Sequence, residues 1–495
     1  MTPVPYTQFL QLALPEVCVV IAAIVVLAVD LLLRSKPLPF RFSIAAALAS
    51  IGCFAAIARL LTASSPIDAM QGMFVANVLT SHVQVTLLLL TIVTLLLSIR
   101  ADFTSHVGEY VLLILLATTG MMFLVSSRDI LVTFLSLELL SLALYALTAF
   151  DKRHQESAEA GLKYFLFGGM SAAFLLFGFS FVYGLAHATG YEAASRAIAS
   201  TPLTPLVALT LMTTVIGFGF KVAAAPFHFW APDVYQGAPN PAAGFIASSS
   251  KVASFFALYV LMVACFSSAA GSAAWMHLAA GWTPVLAIVA ALSMLVGNLG
   301  ALVQSSLRRL LAYSAIAHAG YMLIAVVAHT PESLGALLYY VLTYSLSTLG
   351  SFAVVAVVEQ NMGNDQLESF KGLSRRAPVL SACLFVFLLS QAGIPPLSGF
   401  FGKFYLFVAA LGASEGYSAL LWLVILAFCL SAVSLYYYLK VLKLVYVADA
   451  ADGDGWIQVP ILTTIVISLL ALGVVVAGCF PEHLLRWFHI ASGTL

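Results

Sequence analysis

The chain has 495 residues, 62% of them hydrophobic and 8% charged; soluble globular domains carry roughly 25% charged residues, so the composition excludes a soluble enzyme and indicates a polytopic membrane protein. Lys+Arg and Asp+Glu each number 21, so the net charge is zero and gives no electrostatic footprint for nucleic acid. The six cysteines (Cys18, Cys53, Cys265, Cys383, Cys429, Cys479) lie far apart in apolar runs, without the ligand spacings of iron–sulfur, zinc or c-type haem sites.

Taken in order, the apolar runs long enough to span a bilayer cover residues 12–33, 42–61, 78–99, 109–125, 130–150, 161–185, 203–225, 242–266, 284–303, 307–328, 334–358, 377 onward, 419–447 and 457–480. These make about fourteen spans, with no soluble domain between them. The first run has no basic segment before it and carries Glu16, which reads against a cleaved signal or an Arg-rich transit peptide. Connections after odd-numbered spans hold thirteen Lys and Arg residues and those on the other side hold four, Arg59, Arg128, Arg196 and Arg486. The positive-inside rule then puts the basic group in the cytoplasm and both termini outside. Four lysines remain inside spans: Lys163, Lys221, Lys251 and Lys403.

Two spans are interrupted. In GFGFKVAAAPFHFWAPDVYQGAPN, residues 217–240, an apolar run is broken by Pro226 and Pro232 next to Lys221, His228 and Asp233. In GIPPLSGFFGK, residues 393–403, two prolines and three glycines precede Lys403. Lipid tolerates broken backbone only where protein or a water-filled cavity covers it, and a lysine at a helix centre costs about 2.5–3.5 kcal/mol on insertion scales. Lys221 and Lys403 are 182 residues apart, and Glu138 and His318 are 180 apart. These near-equal offsets suggest a repeat over spans 4–8 and 9–13, and five spans per unit make the second copy inverted. Interrupted segments at matching places of inverted halves point to a transport site. The expected organisation is all-α: a three-helix segment (1–107), a first five-helix repeat (108–266), a second, inverted one (284–447) and a C-terminal helix (448–495).

The candidate chemistry lies in residues that a mere membrane anchor would not keep. Glu138 has apolar neighbours on both sides, and such a carboxylate must pair or stay protonated. The competing reading is a protonated glutamate that only fixes helix packing. Its most economical partner is Lys221; a lysine held between burial and an opposite charge changes protonation when that partner moves. Lys251 follows Ser248, Ser249 and Ser250, which suit a hydrated path or simple helix–helix hydrogen bonds. His318, with an ordinary pKa near 6.5, lies between Lys251 and Lys403 in sequence and suits a relay. Lys163 is as consistent with snorkelling to an interface as with function. His228 and Asp233 are candidates to cap the broken helix or line an entrance, and Asp30 reads as structural. No GxGxxG loop after a strand and no Walker loop is present.

KVAAAPFHFWAPDVYQGAP, SLELLSLALYAL, SLRRLLAYSAIAHAGYM and GIPPLSGFFGKFYLF resemble the antiporter-like membrane subunits of proton-pumping NADH:quinone oxidoreductase (complex I), over nearly the whole chain. The resemblance is strongest to the subunit N type. Subunit M typically has glutamate where this chain has Lys403, and no long lateral helix of the subunit L kind follows span 14. The resemblance implies two linked half-channels around the broken helices and a polar proton path through Glu138, Lys221, Lys251, His318 and Lys403, with Lys163 and His228 as lesser members. It implies no cofactor and no metal in this chain, with NADH, FMN, iron–sulfur clusters and quinone handled by partner subunits. It further implies a bacterial inner-membrane setting among lipid and the other membrane subunits of the complex. Subunits of multi-component sodium/proton antiporters share much of the pattern, so a cation/proton antiporter without redox coupling is the alternative.

Overall fold

In a bilayer every backbone N–H and C=O needs an internal partner, which favours unbroken helices wherever lipid is in contact. The computed structural model describes residues 12–62, 67–69, 72–201, 203–413, 419–449 and 455–492. The first three spans are α1 (Leu14–Leu32), α2 (Leu38–Thr62) and α3 (Val78–Ser98), with a two-stranded hairpin, Ile67–Ala69 against Phe74–Ala76, before α3. Then come α4 (Val107–Ser126), α5 (Ile130–Thr148), α6 (Gln155–Ala186) and the short α7 (Tyr191–Ala199). The seventh span is divided into α8 (Pro205–Lys221) and α9 (Trp230–Gly237), and α10 (Asn240–Cys265) follows with an irregular joint at Ser248.

The remainder contains α11 (Trp282–Leu302), α12 (Leu307–Ala328) and α13 (Pro331–Met362). The divided twelfth span is α14 (Pro378–Ala392) plus α15 (Ser398–Gly412), and α16 (Leu421–Tyr446), α17 (Ile461–Cys479) and α18 (Pro481–Ser492) close the chain. Twelve described helices are long and apolar enough to cross a membrane, and the two divided spans bring the bundle to the fourteen expected. Helix lengths recur between the units: α6 and α13 both have 32 residues, and α10 and α16 both have 26.

Local chemistry fixes the boundaries. Asn77 and Thr330 each begin a helix with a reciprocal capping box, Asp129 accepts from Leu131 and Val132 N–H, and Pro205 and Pro331 stand where a missing N–H is harmless. Gly363 ends α13 at φ 75° and Gly393 ends α14 at φ 89°, left-handed conformations open to glycine at little cost.

Helices α10, α12 and α13 are buried over almost their whole length, whereas α1, α2 and α6 expose most of theirs. The centre of the bundle is therefore α10–α12–α13, and these three carry Lys251 and His318. Close approach of α11 to α12 depends on glycine, since a Cβ on Gly297 would come within 2.3 Å of Ala317 N, next to His318. Asp30 has the structural place expected of it: both its oxygens accept from Arg41 at 2.7–2.8 Å, and Gly108 N–H donates to it at 2.9 Å, pinning α1, α2 and α4 together.

Candidate functional site

Lys221, Lys251, His318 and Lys403 are each no more than 5% exposed. Lys221 is the last residue of α8, at the end of a half-helix, where the helix dipole favours a cation. Its Nζ donates to Ser141 Oγ at 2.9 Å. Ser141 lies three residues after Glu138 and so shares its face of α5. No ion pair within 4 Å joins Glu138 and Lys221 among the described residues; Ser141 is the contact Lys221 makes on that helix. Glu138 is partly buried, within the span where the sequence placed it.

Lys251 Nζ donates to the Ala315 carbonyl at 2.5 Å, one turn before His318, and lies 5.3 Å from the centre of the Tyr344 ring. The same ring lies 4.9 Å from His318, so Tyr344 is packed between the lysine and the imidazole. His318 Nδ1 contacts Tyr340 OH at 2.6 Å and Nε2 contacts Tyr438 OH at 3.2 Å. Tyr438 donates its one hydrogen to Gln391 Oε1 at 2.9 Å. With that hydrogen donated to Gln391, the Tyr438 oxygen accepts from His318 Nε2–H and Nδ1 accepts from Tyr340, the arrangement in which every one of these contacts is used. Ser314 Oγ also touches Tyr438 OH.

Gln391 is followed by Ala392, whose carbonyl accepts from Lys403 Nζ at 3.0 Å; Ser431 Oγ accepts from the same ammonium at 2.8 Å. The Lys403 stem packs against Gly393, where a Cβ would come within 3.1 Å of Lys403 Cδ. The two break lysines are placed differently: Lys221 precedes its break, and Lys403 follows in the second half-helix. Side-chain contacts join His318 to Tyr438 and Gln391, and the row reaches the two lysines through the backbone, at Ala315 one turn before His318 for Lys251 and at Ala392 next to Gln391 for Lys403. Between Lys221 and Lys251 no such row of hydrogen bonds is present among the described residues.

An ammonium offers three donors, and each of these lysines uses one or two, leaving room for water. Several buried oxygens nearby have no protein partner among the described residues: Ser249 Oγ, Tyr235 OH and Asn240 Oδ1. Buried polar atoms of this kind are usually met by ordered water. They lead from Lys251 toward a cavity of about 900 Å³ lined by Asn240, Arg308, Leu349, Phe352 and Glu359, among others.

Two arginines keep the broken seventh span in place. Arg308 Nε donates to the Tyr235 carbonyl at 3.0 Å, and its terminal nitrogens reach the Ala238 carbonyl and Glu359, so a cation caps the end of α9. Arg309 donates to Asp233 at 2.8 Å and Gln236 at 3.0 Å. Lys163 joins this surface cluster, bonding Asp233 at 2.7 Å and Glu159 at 2.6 Å with 39% of its side chain exposed; it is not brought to the buried line. His228 lies in the break between α8 and α9, buried, its ring stacked on Phe229 and its Nδ1 without a partner among the described residues.

Ser141, Ser431, Tyr340, Tyr344, Tyr438 and Gln391 were not singled out from the sequence. Ser141 carries a signal, its spacing from Glu138, as do Tyr340 and Tyr344 at an i, i+4 interval. Tyr438 carries none, because its partner His318 is 120 residues away.

Residues 127–434 match the family model described as NADH:quinone oxidoreductase/Mrp antiporter, TM. The chain is 52% identical to NADH-quinone oxidoreductase subunit N 2 of Acidobacterium capsulatum, over 99% of this chain and 100% of that one. It superposes on a chain of respiratory complex I from Thermus thermophilus with a TM-score of 0.76 and 34% identity, covering 94% of this chain and 98% of that chain. A chain of the Mrp complex from Dietzia sp. shares the fold, with a TM-score of 0.79 at 19% identity and 97% coverage of both. Fold alone therefore does not separate the two kinds of assembly, whereas identity along the full length does: this chain belongs to the NADH-quinone oxidoreductase subunit N family.

Proposed function

We propose that this chain carries protons across a bacterial inner membrane as one membrane subunit of NADH:quinone oxidoreductase, along a path through Lys251, His318, Tyr438 and Lys403. The observation that carries the reading is the buried row from Lys251 to Lys403, in which the side chains around His318 reach both lysines through backbone carbonyls. Protons enter from the 900 Å³ cavity through water held by Asn240, Tyr235 and Ser249. Lys251 passes charge to His318, whose Nδ1 and Nε2 face hydroxyls on opposite sides, so a proton taken up at one nitrogen can leave from the other. Lys403 receives it beside the second break, where the loosened backbone admits water.

Glu138, Ser141 and Lys221 form the control element. Moving the carboxylate relative to the ammonium changes the charge at the entrance to the line. Matched helix lengths support two inverted five-helix units, each built around one divided span. The basic loops support a cytoplasmic entrance and both termini outside. Leu131, Leu135 and Leu142 are exposed on the same helix as partly buried Glu138, which supports a neighbouring membrane subunit covering that face. NADH, FMN, iron–sulfur clusters and quinone belong to partner subunits in this reading.

The test is proton uptake by the purified complex in vesicles. NADH should drive uptake in the native assembly, and Lys251→Met should sharply reduce it while the complex still assembles. Sodium/proton exchange by the chain's own assembly without NADH oxidation would instead establish the antiporter alternative.

A further inference from the structure

Three membrane spans and the terminal helix enclose a cavity that the proposed proton path does not use. It measures about 710 Å³ and lies between α3, α13, α17 and α18, a size within the ~300–1,000 Å³ of sites that bury small organic ligands. Leu89 and Val93 of α3, Leu342 and Leu346 of α13 and Gly473 of α17 form its walls. Thr86 also stands in the wall, but its hydroxyl already donates to the His82 carbonyl at 2.9 Å. Polar side chains gather at one end, where α18 contributes His483 and Trp487, with Arg486 exposed on the same helix. That end is held in place: His82 Nδ1–H donates to the Trp487 carbonyl at 2.9 Å, and the two rings lie 4.6 Å apart.

Glycine keeps this space open. At Gly297 the missing Cβ lets two helices touch, but a Cβ on Gly473 would meet only Leu346 Cδ1, at 3.7 Å. Water does not fill an apolar space that offers it so few partners, and an empty one forfeits dispersion contacts on every side. Three of the walls are membrane spans, and Leu89, Val476 and Phe480 around the cavity are exposed, so it opens sideways to bilayer hydrocarbon. Along α3 the wall from Thr86 to Val93 runs about 10 Å at 1.5 Å per residue. That fits within one leaflet, half of a hydrocarbon core about 30 Å thick. An occupant is therefore apolar along the spans and polar where α18 begins.

We propose that this cavity binds one zwitterionic phospholipid, with an acyl chain between α3 and α17 and its headgroup on α18. Glu482 and Arg486 form an exposed pair at 3.4 Å on that helix. Such a pair is weak on its own, and it matches a headgroup that carries an ammonium for the carboxylate and a phosphate for the guanidinium. Trp487 suits the boundary between head and chain, where indoles concentrate at membrane surfaces. The lipid joins the first three spans, through α3, to the two helices that end the chain. Through Leu342 and Leu346 it also braces α13, the helix that carries Tyr340 and Tyr344.

Native mass spectrometry of the purified complex counts the phospholipids that survive detergent exchange. Gly473→Phe fills the cavity from α17 and should cost one retained phosphatidylethanolamine relative to the native complex. An equal count overturns the site, as does the loss of a fatty acid, a quinone or an anionic phospholipid in its place. Should Gly473→Phe fail to assemble, Leu89→benzoylphenylalanine probes the same cavity from α3, where 45% exposure leaves space for a larger side chain. Irradiated after detergent exchange, it should cross-link to phosphatidylethanolamine. The same photoreactive group at exposed Leu299, outside the cavity, should capture detergent. Capture of detergent or of another subunit at position 89, or of phospholipid equally at both positions, overturns the proposal.

Discussion

Replacing Tyr438 by phenylalanine removes one oxygen from the centre of the buried line and changes little else. The ring is fully buried, and phenylalanine fills the same space. The lost oxygen accepts from His318 Nε2, donates to Gln391 Oε1 and touches Ser314 Oγ. His318 Nε2–H and Gln391 Oε1 are then left facing apolar ring carbon, and an orphaned buried polar group costs about 1–3 kcal/mol. If one such penalty falls on the transfer step, a tenfold change per 1.36 kcal/mol makes transfer about 5- to 150-fold slower. Tyr339→Phe is the matched control: the residue is equally buried, and its hydroxyl donates to the Ala477 carbonyl at 2.8 Å and not to the His318 network. NADH-driven quinone reduction and proton uptake in proteoliposomes measure both variants. Wild-type turnover and proton yield in Tyr438→Phe, or equal losses in the two variants, would refute the relay through Tyr438.

Lys403→Arg keeps a charge whose pKa above about 12 prevents release, so it should impair pumping nearly as badly as Lys403→Met, while Lys403→Glu, still titratable, retains some; a near-normal Arg variant would remove Lys403 from the proton carriers. Glu138→Gln and Lys221→Met should each sharply reduce coupled turnover without blocking assembly. Because both belong to the proposed control element, the double variant should lose little more than the worse single one, and multiplicative losses would show that they act separately. A cysteine placed in the connection 151–156 should react with impermeant reagent from the cytoplasm only, and one at Ser195 from the outside only. The reverse pattern would invert the sidedness of the proposed path.

Much of this architecture was legible because membrane solvation is an exacting constraint. Apolar run length gave the fourteen spans, and Pro226 and Pro395–Pro396 marked the two divided ones, since a missing N–H and ring sterics leave little choice. The buried lysines stood out for the same reason. What attaches to them did not. Ser141 and Ser431 look like ordinary small residues in apolar helices, and Tyr340 and Tyr438 look like aromatic packing until their hydroxyls are seen on one imidazole, with the Tyr344 ring beside it. Arg308 and Arg309 were legible only as loop charge, although they hold α9 by its end. Glu16 was noted for its position near the terminus, and its burial depends on Gln84, 68 residues later. Such contacts are set by which helices become neighbours, which hydrophobic periodicity does not encode.

The unbroken length of α13 has a mechanical consequence. At 1.5 Å per residue, its 32 residues make a rod of about 48 Å. Glu359, near one end, grips Arg308 and Asn240 at the cavity mouth; Tyr340 and Tyr344, further along, flank His318. With no hinge between those points, a small rotation or slide imposed at the mouth displaces both hydroxyls in the interior by a comparable amount. Hydrogen bonds fade over a few tenths of an ångström beyond their preferred distance, so the rod converts motion at the surface into a change of connectivity around the imidazole, in the manner of a pushrod working a valve.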